Sequence, residues 1–221
     1  MITKSKQLLI VAVLALFCCN TVTSQEQNKE QDQSNKLRFY DYRGTNAIDA
    51  GLGASKINGD FDNTDFGFYF RIGYKRSLTP NLFLGLTANS YSLQFDEIEQ
   101  DLLSFDFNIE YLILPYDRFS PYLYGGFGVN TSSDADTNAV KTQFGVGVEY
   151  IVTDGLGLKL YYEYNYSYDK EMDFLIGDME NDAFMRIGIG VNYYFGGTEQ
   201  KDKLDKEIKT IINSNPIVPD N

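Results

Sequence analysis

The side chains of this chain that could carry out acid–base chemistry are carboxylates set at alternate positions in long extended segments. A pair such as Glu110 and Glu149 could act as acid and base on a substrate. Basic residues occupy equivalent alternate positions, so charged partners explain these carboxylates better than catalysis does. The predicted charge network consists of Asp49, Arg71, Lys75, Asp106, Glu110, Glu149, Lys159, Glu163 and Arg186.

The residue types that the chain lacks narrow the chemistry further. It contains no histidine, which removes mechanisms that use histidine as a base or as the partner of a nucleophile. Its only cysteines, Cys18 and Cys19, lie in the predicted secretion signal, so zinc sites built on histidine or cysteine are excluded in the mature chain. We therefore predict no catalytic, cofactor-binding or metal-binding residue. The formal charge of −12 also argues against a nucleic acid partner, which needs a basic surface.

The elements that would position these charges are clearest in residues 156–168. Side chains of an extended strand alternate between two faces. One face of this segment carries leucine and tyrosine, and the other carries Gly157, Lys159, Glu163, Asn165 and Ser167. A long strand that is apolar on one face and polar or glycine on the other is typical of a membrane strand, with lipid outside and a wet or charged interior.

Seven further segments show related patterns, although the third changes phase near Tyr91, where we predict a bulge, and the fifth is ambiguous in face. The predicted strands are residues 47–57, 65–76, 82–95, 102–114, 121–131, 140–151, 156–168 and 183–195. Each is about twice as long as the strands of about 5 to 6 residues that are usual in soluble sheets. The pattern therefore predicts an all-β fold, an eight-stranded antiparallel up-and-down transmembrane β-barrel, rather than a soluble sandwich.

The inward faces of these strands collect the five acids and four bases of the predicted network. The interior of an eight-stranded barrel is only wide enough for side chains to fill, so a nearly balanced set of charges predicts a salt-bridged plug. A permeation path is the alternative, because glycines that line a small barrel can leave room for water.

Short and long links alternate between the predicted strands. Links 77–81, 115–120 and 152–155 are short, as periplasmic turns are, and links 58–64, 96–101, 132–139 and 169–182 are longer on average and acidic. This alternation predicts a barrel with both termini in the periplasm. The acidic rim either gathers cations, as a calcium-dependent surface would, or only keeps the mouth solvated. We favour solvation, because no acidic run there completes a calcium loop.

Residues 1–24 are predicted to be a secretion signal. Lys4 and Lys6 precede an apolar run at residues 8–17, and small residues place the cleavage site between Ser24 and Gln25. The run is too short to span a bilayer as a helix, which takes about 20 residues. Lipid attachment at Cys18 is the alternative, but the bulky residue before it favours ordinary cleavage.

Two polar segments flank the predicted barrel, which occupies residues 46–195. Residues 25–45 are a predicted periplasmic lead-in: residues 25–36 contain no apolar side chain and should not fold alone, whereas residues 37–45 are aromatic and basic and would lie at the membrane surface or begin the sheet. In the tail, residues 196–221, isoleucines and a leucine recur at helical spacing, which predicts a short amphipathic periplasmic helix. That helix either docks a partner or stays weakly folded.

The whole pattern resembles OmpX-like and OmpA-like eight-stranded barrels of the bacterial outer membrane. The last strand ends in GVNYYF, and its Gly190, Tyr193 and Phe195 resemble the C-terminal signal that the barrel-assembly machinery of Gram-negative bacteria reads. The resemblance implies an outer-membrane location, with outer-membrane lipid and that machinery as partners.

A closer resemblance covers about residues 38–197. The segments DYRGTNAIDAGLGASKINGDF (41–61), YFRIGYKRSLTPNL (69–82) and LPYDRFSPYLYGGFGVN (114–130) are similar to the C-terminal barrel region of curli-secretion (CsgG-type) proteins of Bacteroidota. The lipobox and the channel-forming domain that define those proteins are not found in this sequence. The resemblance therefore implies the barrel and its setting, with a curli-type secretion or periplasmic partner bound through the tail, but no secretion channel.

These observations predict a non-enzymatic outer-membrane barrel without a cofactor. It would serve as a membrane anchor or accessory in surface-fibre secretion or envelope organisation. A small passive pore and a surface-binding, adhesin-like barrel are the alternatives.

Overall fold

The computed structural model of the protein describes residues 27–58, 64–95, 98–132, 138–167 and 183–214. Within those ranges the chain forms eight long strands and two helices. The strands are β1 (Asn46–Asn58), β2 (Gly67–Ser77), β3 (Leu82–Phe95), β4 (Ile98–Leu112), β5 (Phe119–Ser132), β6 (Asn138–Thr153), β7 (Leu156–Ser167) and β8 (Ala183–Phe195). The helices are α1 (Gln27–Tyr42) and α2 (Thr198–Ser214). The two-residue segment Thr64–Asp65 also pairs, with the end of β3.

The strands form one closed sheet. Each strand pairs antiparallel with the next along the chain, and β8 returns to pair with β1. This closing ladder runs from Asn46 opposite Phe195 to Asn58 opposite Ala183. Closure leaves no free sheet edge, as a β-structure within a bilayer requires. The predicted eight-stranded antiparallel barrel is therefore confirmed.

The two faces of the sheet are inverted relative to those of a soluble protein. Phe68 and Leu86 point outward and are 65% and 62% exposed, whereas Asp49 and Asn165 point inward and are fully buried. A continuous apolar outer surface of this kind is suited to lipid. Strand β7 shows the alternation most regularly, with buried and more exposed positions following each other to Ser167 as predicted.

The predicted bulge near Tyr91 does not lie in β3 itself but in the chain that faces it, because the ladder between residues 64–77 and β3 shifts register by one between the pairs Asp65–Gln94 and Tyr69–Tyr91. Strand β3 pairs with β4 along its whole length without a register shift, and Tyr91 lies inside the barrel in phase with the buried Phe83. The sequence changes phase because the interior accepts aromatic rings as well as polar groups. A further shift of register occurs between Ile151 and Thr153, at the end of β6.

The barrel has two distinct ends. We call the end that carries links 78–81, 113–118 and 154–155 the turn end, and the opposite end the loop end. The predicted alternation of short and long links fails at the loop end, because only residues 96–97 separate β3 from β4. Most of the predicted link 96–101 is strand, since acidic side chains there, such as the exposed Asp101, leave the backbone groups free to pair.

The lead-in differs from its prediction, because α1 is helical from Gln27 to Tyr42. Glutamine, glutamate and lysine favour helix without any apolar face, so the polar composition did not exclude regular structure. The chain divides after Ser34 into two units, and the barrel belongs to the second, Asn35–Asn221. In that second unit Phe39 is buried, and the sheet starts at Asn46 rather than within residues 37–45.

The predicted C-terminal helix is confirmed as α2. Gly196 and Gly197 lead from β8 into it with φ angles of 76° and 96°, which are conformations that favour glycine. In the part of the chain that the structure describes, no helix is both long and apolar enough to cross a membrane.

Candidate functional site

The candidate site is the polar interior of the barrel. Strand alternation carries the side chains of the nine predicted network residues to the inward face, where each is at most 6% exposed. Two further buried bases join them, Arg43 and Lys141. The buried charged residues described are therefore five acids and six bases, namely Asp49, Asp106, Glu110, Glu149 and Glu163 with Arg43, Arg71, Lys75, Lys141, Lys159 and Arg186.

Asp49 is the centre of one group of contacts near the turn end. Its carboxylate forms ion pairs with Arg71 at 3.1 Å and Lys75 at 3.0 Å. Lys159 of β7, a strand that is not adjacent to β1, also pairs with Asp49. Lys75 in turn reaches Glu110 at 2.5 Å, so the group links four strands, β1, β2, β4 and β7.

Glu149 forms a separate group at the turn end. Arg43 pairs with its Oε2 atom at 2.8 Å, while Asn192 and Tyr194 each donate a hydrogen bond to its Oε1 atom at 2.6 Å. Glu110 and Glu149 therefore have different cationic partners. The two carboxylates are engaged as salt-bridge partners, the interpretation that the sequence favoured over acid–base work.

Arg186 organises the group nearer the loop end. It pairs with Glu163 and, at 3.1 Å, with Asp106. Lys141 also pairs with Asp106 at 3.0 Å and donates a hydrogen bond to Asn165 at 2.9 Å. Buried charges are costly unless they are paired and hydrogen-bonded, and these ion pairs and hydrogen bonds offset part of that cost.

The two bases missing from the predicted network were missed for different reasons. Lys141 lies two residues before the inward Gln143 in β6, so strand alternation was a sufficient signal for it. Arg43 precedes β1 and follows a helix, so no periodicity connects it with the barrel interior. Its position follows only from the path that the chain takes at the turn end.

Tyrosine rings occupy the space that the inward glycines leave. Strand β5, whose face was ambiguous in sequence, directs Tyr122 and Tyr124 inward. A Cβ atom on Gly145 would lie 2.6 Å from the hydroxyl of Tyr124, and one on Gly147 would lie 2.6 Å from the hydroxyl of Tyr122. The glycines are thus sockets for tyrosine, and the glycine-lined interior that suggested room for water is filled with rings.

A third inward ring lies between the ion-pair groups. The hydroxyl of Tyr161 comes within 2.6 Å of where a Cβ atom would stand on Gly51 or Gly188. Its ring centroid is 5.0 Å from the guanidinium carbon of Arg71. Tyr124 donates a hydrogen bond of 2.9 Å to Glu163. Aromatic rings and charges therefore form one continuous filling across the barrel.

Residues 10–195 match the family model of the outer membrane protein beta-barrel domain. The chain belongs to that family. Membership indicates a location in the bacterial outer membrane, in agreement with the apolar outer surface of the barrel.

Solved structures with a similar fold include Neisserial surface protein A (NspA), at 20% identity and a TM-score of 0.55 over 69% of this chain and 98% of that one. Others are Ail of Yersinia pestis, at 13% identity and a TM-score of 0.43 over 69% and 99%, and OprG of Pseudomonas aeruginosa, at 11% and 0.44 over 70% and 98%. At this low identity the likeness to NspA shows a shared fold alone. No curated protein matches the chain.

The structure describes some of the other predicted sites, and the rest lie outside the described residues. The cleavage site at Ser24 and Gln25 and most of the predicted acidic rim fall outside the described ranges, although Asp65 and Asp101 are described and exposed. Tyr193 and Phe195 stand on the outer face of β8 at the turn end, with ring centroids 6.4 Å apart. Their role with Gly190 in assembly stays a prediction. Within the described residues, no group of three or more histidine, cysteine or acidic side chains is placed to hold a metal ion.

Proposed function

We propose that this barrel is a non-conducting, non-enzymatic anchor in the outer membrane that serves envelope organisation. The observation that supports the proposal is the filled interior. Charged groups on six of the eight strands and Arg43 meet in paired contacts across it, and tyrosines occupy the space beside them. A wall cross-linked in this way favours a rigid scaffold over a pore.

The two ends of the barrel would have different roles. We propose that the turn end faces the periplasm with both termini, because short turns are typical of the periplasmic side of such barrels. Helix α2 would then extend from β8 into the periplasm, where it can contact a partner. The strands would present their loop-end connections outside the cell.

A more specific setting rests on sequence resemblance. Residues 41–61, 69–82 and 114–130 resemble the barrel region of curli-secretion proteins, so we propose an accessory role beside a surface-fibre secretion system, with the partner bound through residues 198–221. Genes of that kind next to this one would support the setting, and an unrelated gene neighbourhood would argue for a more general envelope role.

Truncation after residue 197 tests the anchor role. The full-length chain and the truncated chain are each cross-linked in cells and purified from the outer membrane. We expect the same amount of folded barrel from both, with defined partners recovered only with the full-length chain. Equal partner recovery from the truncated chain would contradict a role for α2 in attachment.

The absence of enzymatic activity can be checked in the same cells. Lipid A and phospholipid profiles are compared by mass spectrometry between cells that overproduce the protein and cells that overproduce a chain with Glu110 and Glu149 both changed to glutamine. We expect no difference, because both carboxylates are engaged with cations. A lipid species that appears only with the unchanged protein would contradict the proposal.

A further inference from the structure

The chain segment just before β1 closes the turn end of the barrel. Residues 35–43 include the end of α1 and bring two side chains into the mouth, Phe39 and Arg43, each only 1% exposed. The ring of Phe39 lies 6.3 Å from that of Phe83, which lies 6.2 Å from that of Tyr194. Residues 35–43, which we call the stopper, therefore contact the barrel through one aromatic and one cationic side chain.

The guanidinium of Arg43 is surrounded by acceptors that belong to the barrel. It donates a hydrogen bond to the Oε2 atom of Glu149 at 2.9 Å. It also donates to the backbone oxygens of Pro115 at 2.8 Å and Asp117 at 3.0 Å. A carboxylate and two carbonyls around one planar cation form a geometry that arginine satisfies and a point charge such as lysine satisfies less well.

This acceptor set is held in place by residues other than Arg43. Asn192 and Tyr194 fix the Oε1 atom of Glu149 with hydrogen bonds of 2.6 Å, which leaves Oε2 to receive a guanidinium. Both of these residues belong to β8, and Glu149 belongs to β6. The carboxylate of Glu149 is therefore positioned by the barrel wall, whereas the carbonyls of Pro115 and Asp117 come from the link between β4 and β5.

Two other ion pairs of the segment are exposed. Arg38 pairs with Asp117 at 3.5 Å, and Asp41 pairs with Lys201 at 2.5 Å, but all four side chains are roughly half exposed. Exposed pairs contribute little. Arg43 thus makes the buried ion pair of the segment, while Phe39 is buried in an aromatic cluster against which Tyr40 and Tyr42 also pack.

We propose that the turn-end mouth is a guanidinium-binding socket formed by Glu149, Pro115 and Asp117, occupied in cis by Arg43, and that residues 35–43 are its releasable stopper. The ligand class is an arginine side chain. The inference goes beyond the anchor role. Release of Arg43 would leave the pairs of Arg186 with Asp106 and Glu163 in place, because those pairs do not involve Arg43.

Cysteine labelling in the full chain tests the socket. Ala47 is fully buried on the inward face of β1 near the turn end, and Ala47→Cys provides a reporter because the predicted mature chain has no cysteine. The reaction of a charged, membrane-impermeant thiol reagent is timed in detergent micelles. The shift of the folded band on heating in an SDS gel verifies folding, and the chain without Ala47→Cys gives the background.

We expect slow labelling of the reporter chain and labelling about tenfold or more faster when Arg43→Ala is added, since charge-assisted hydrogen bonds are lost. Guanidinium chloride at a non-denaturing concentration should slow the Arg43→Ala variant again, whereas sodium chloride at the same concentration should not. The matched control Arg38→Ala, which removes an exposed arginine of the same segment, should label at the parent rate.

Glu149→Gln provides a second route to the same result. It keeps a side-chain oxygen for Asn192 and Tyr194 but removes the charge that holds Arg43, so labelling should accelerate and guanidinium should give no rescue. This variant carries the test where Arg43→Ala does not fold. Labelling of the folded variants at the parent rate, equal acceleration by Arg38→Ala, or failure of guanidinium to slow Arg43→Ala would each overturn the proposal.

Discussion

At the scale of single residues, Arg186 illustrates how the interior is stabilised. Its guanidinium pairs with two carboxylates, those of Glu163 and Asp106, and its central carbon lies 4.8 Å from the ring centroid of Tyr69. Removal of the cation would leave buried negative charge without sufficient compensation. The cost of that state is larger than the net contribution of the pair itself.

We therefore expect Arg186→Ala to lower the free energy of unfolding by about 3–5 kcal/mol, measured by denaturant titration in detergent micelles. Arg76→Ala is the matched control, because Arg76 is an exposed arginine of the same wall, and it should change stability by no more than about 0.5 kcal/mol. Similar losses in the two variants would argue against a stabilising ion-pair network.

The pairing of inward glycines with tyrosines also makes a prediction at this scale. The nearest atoms to a Cβ on Gly145 all belong to Tyr124, whereas a Cβ on Gly85 would meet its nearest atom, Cγ of Lys75, at an ordinary 3.5 Å. We expect Gly145→Ala to destabilise the folded barrel by about 1–3 kcal/mol through overpacking and Gly85→Ala to be tolerated.

The same unfolding titration checks the glycine variants. Addition of Tyr124→Leu to Gly145→Ala should cost less than the sum of the two single changes, because the truncated side chain leaves room for the methyl group. Strict additivity, or equal losses for Gly145→Ala and Gly85→Ala, would contradict the close packing of Tyr124 against Gly145.

Strand alternation explains which interior residues could be predicted. It identified nine of the buried charges and would have identified Lys141 if applied to the first residues of β6. It could not identify Arg43, which lies between a helix and a strand. It left the face of β5 open, so the inward positions of Tyr122 and Tyr124 were not predicted, because hydropathy does not distinguish a lipid-facing ring from one seated over a glycine.

At the scale of elements, the long strands were predictable because lipid and interior impose opposite polarity on alternate residues. The predicted faces hold along β7 and β8. The prediction failed where that contrast weakens, in the phase of β3 and in the link before β4. It also failed for α1, whose polar residues form a helix without an apolar stripe.

Helix α2 offers a test of pH dependence. A hydrogen bond to Asp41 raises the pKa of Lys201 above its usual 10.5. A raised pKa in the folded state means that the pair stabilises fully at pH values below about 10.5 and that this stabilisation is lost as pH rises through the raised pKa. Because both side chains are roughly half exposed, the contribution is at most about 1 kcal/mol.

The measurement compares unfolding of the natural chain with Lys201→Gln across this pH range. The stability difference between the two should be constant below about pH 10.5 and should shrink to zero at higher pH. Lys203→Gln, a change of another exposed lysine in the same helix, should show no such dependence. A difference that grows with pH would contradict the assigned sign.

At the scale of the whole molecule, fold and family follow from the strand pattern, whereas the role of the protein depends on what fills the barrel. A closed wall with glycines on its inner face is compatible with a water-filled lumen or with a plug. The sequence indicated a plug from the balance of charges. The structure adds Arg43 and Lys141, which pair with Glu149 and Asp106, and the inward tyrosines, which lie against glycines.

Single-channel recording tests this account most directly. The full-length folded protein is inserted into planar bilayers, and insertion is verified independently by protease protection in vesicles of the same lipid. We predict no stepwise conductance, because paired charges and seated tyrosines occupy the interior. Reproducible conductance steps from the verified, unaltered protein would show an open path through the barrel and would contradict the proposed anchor.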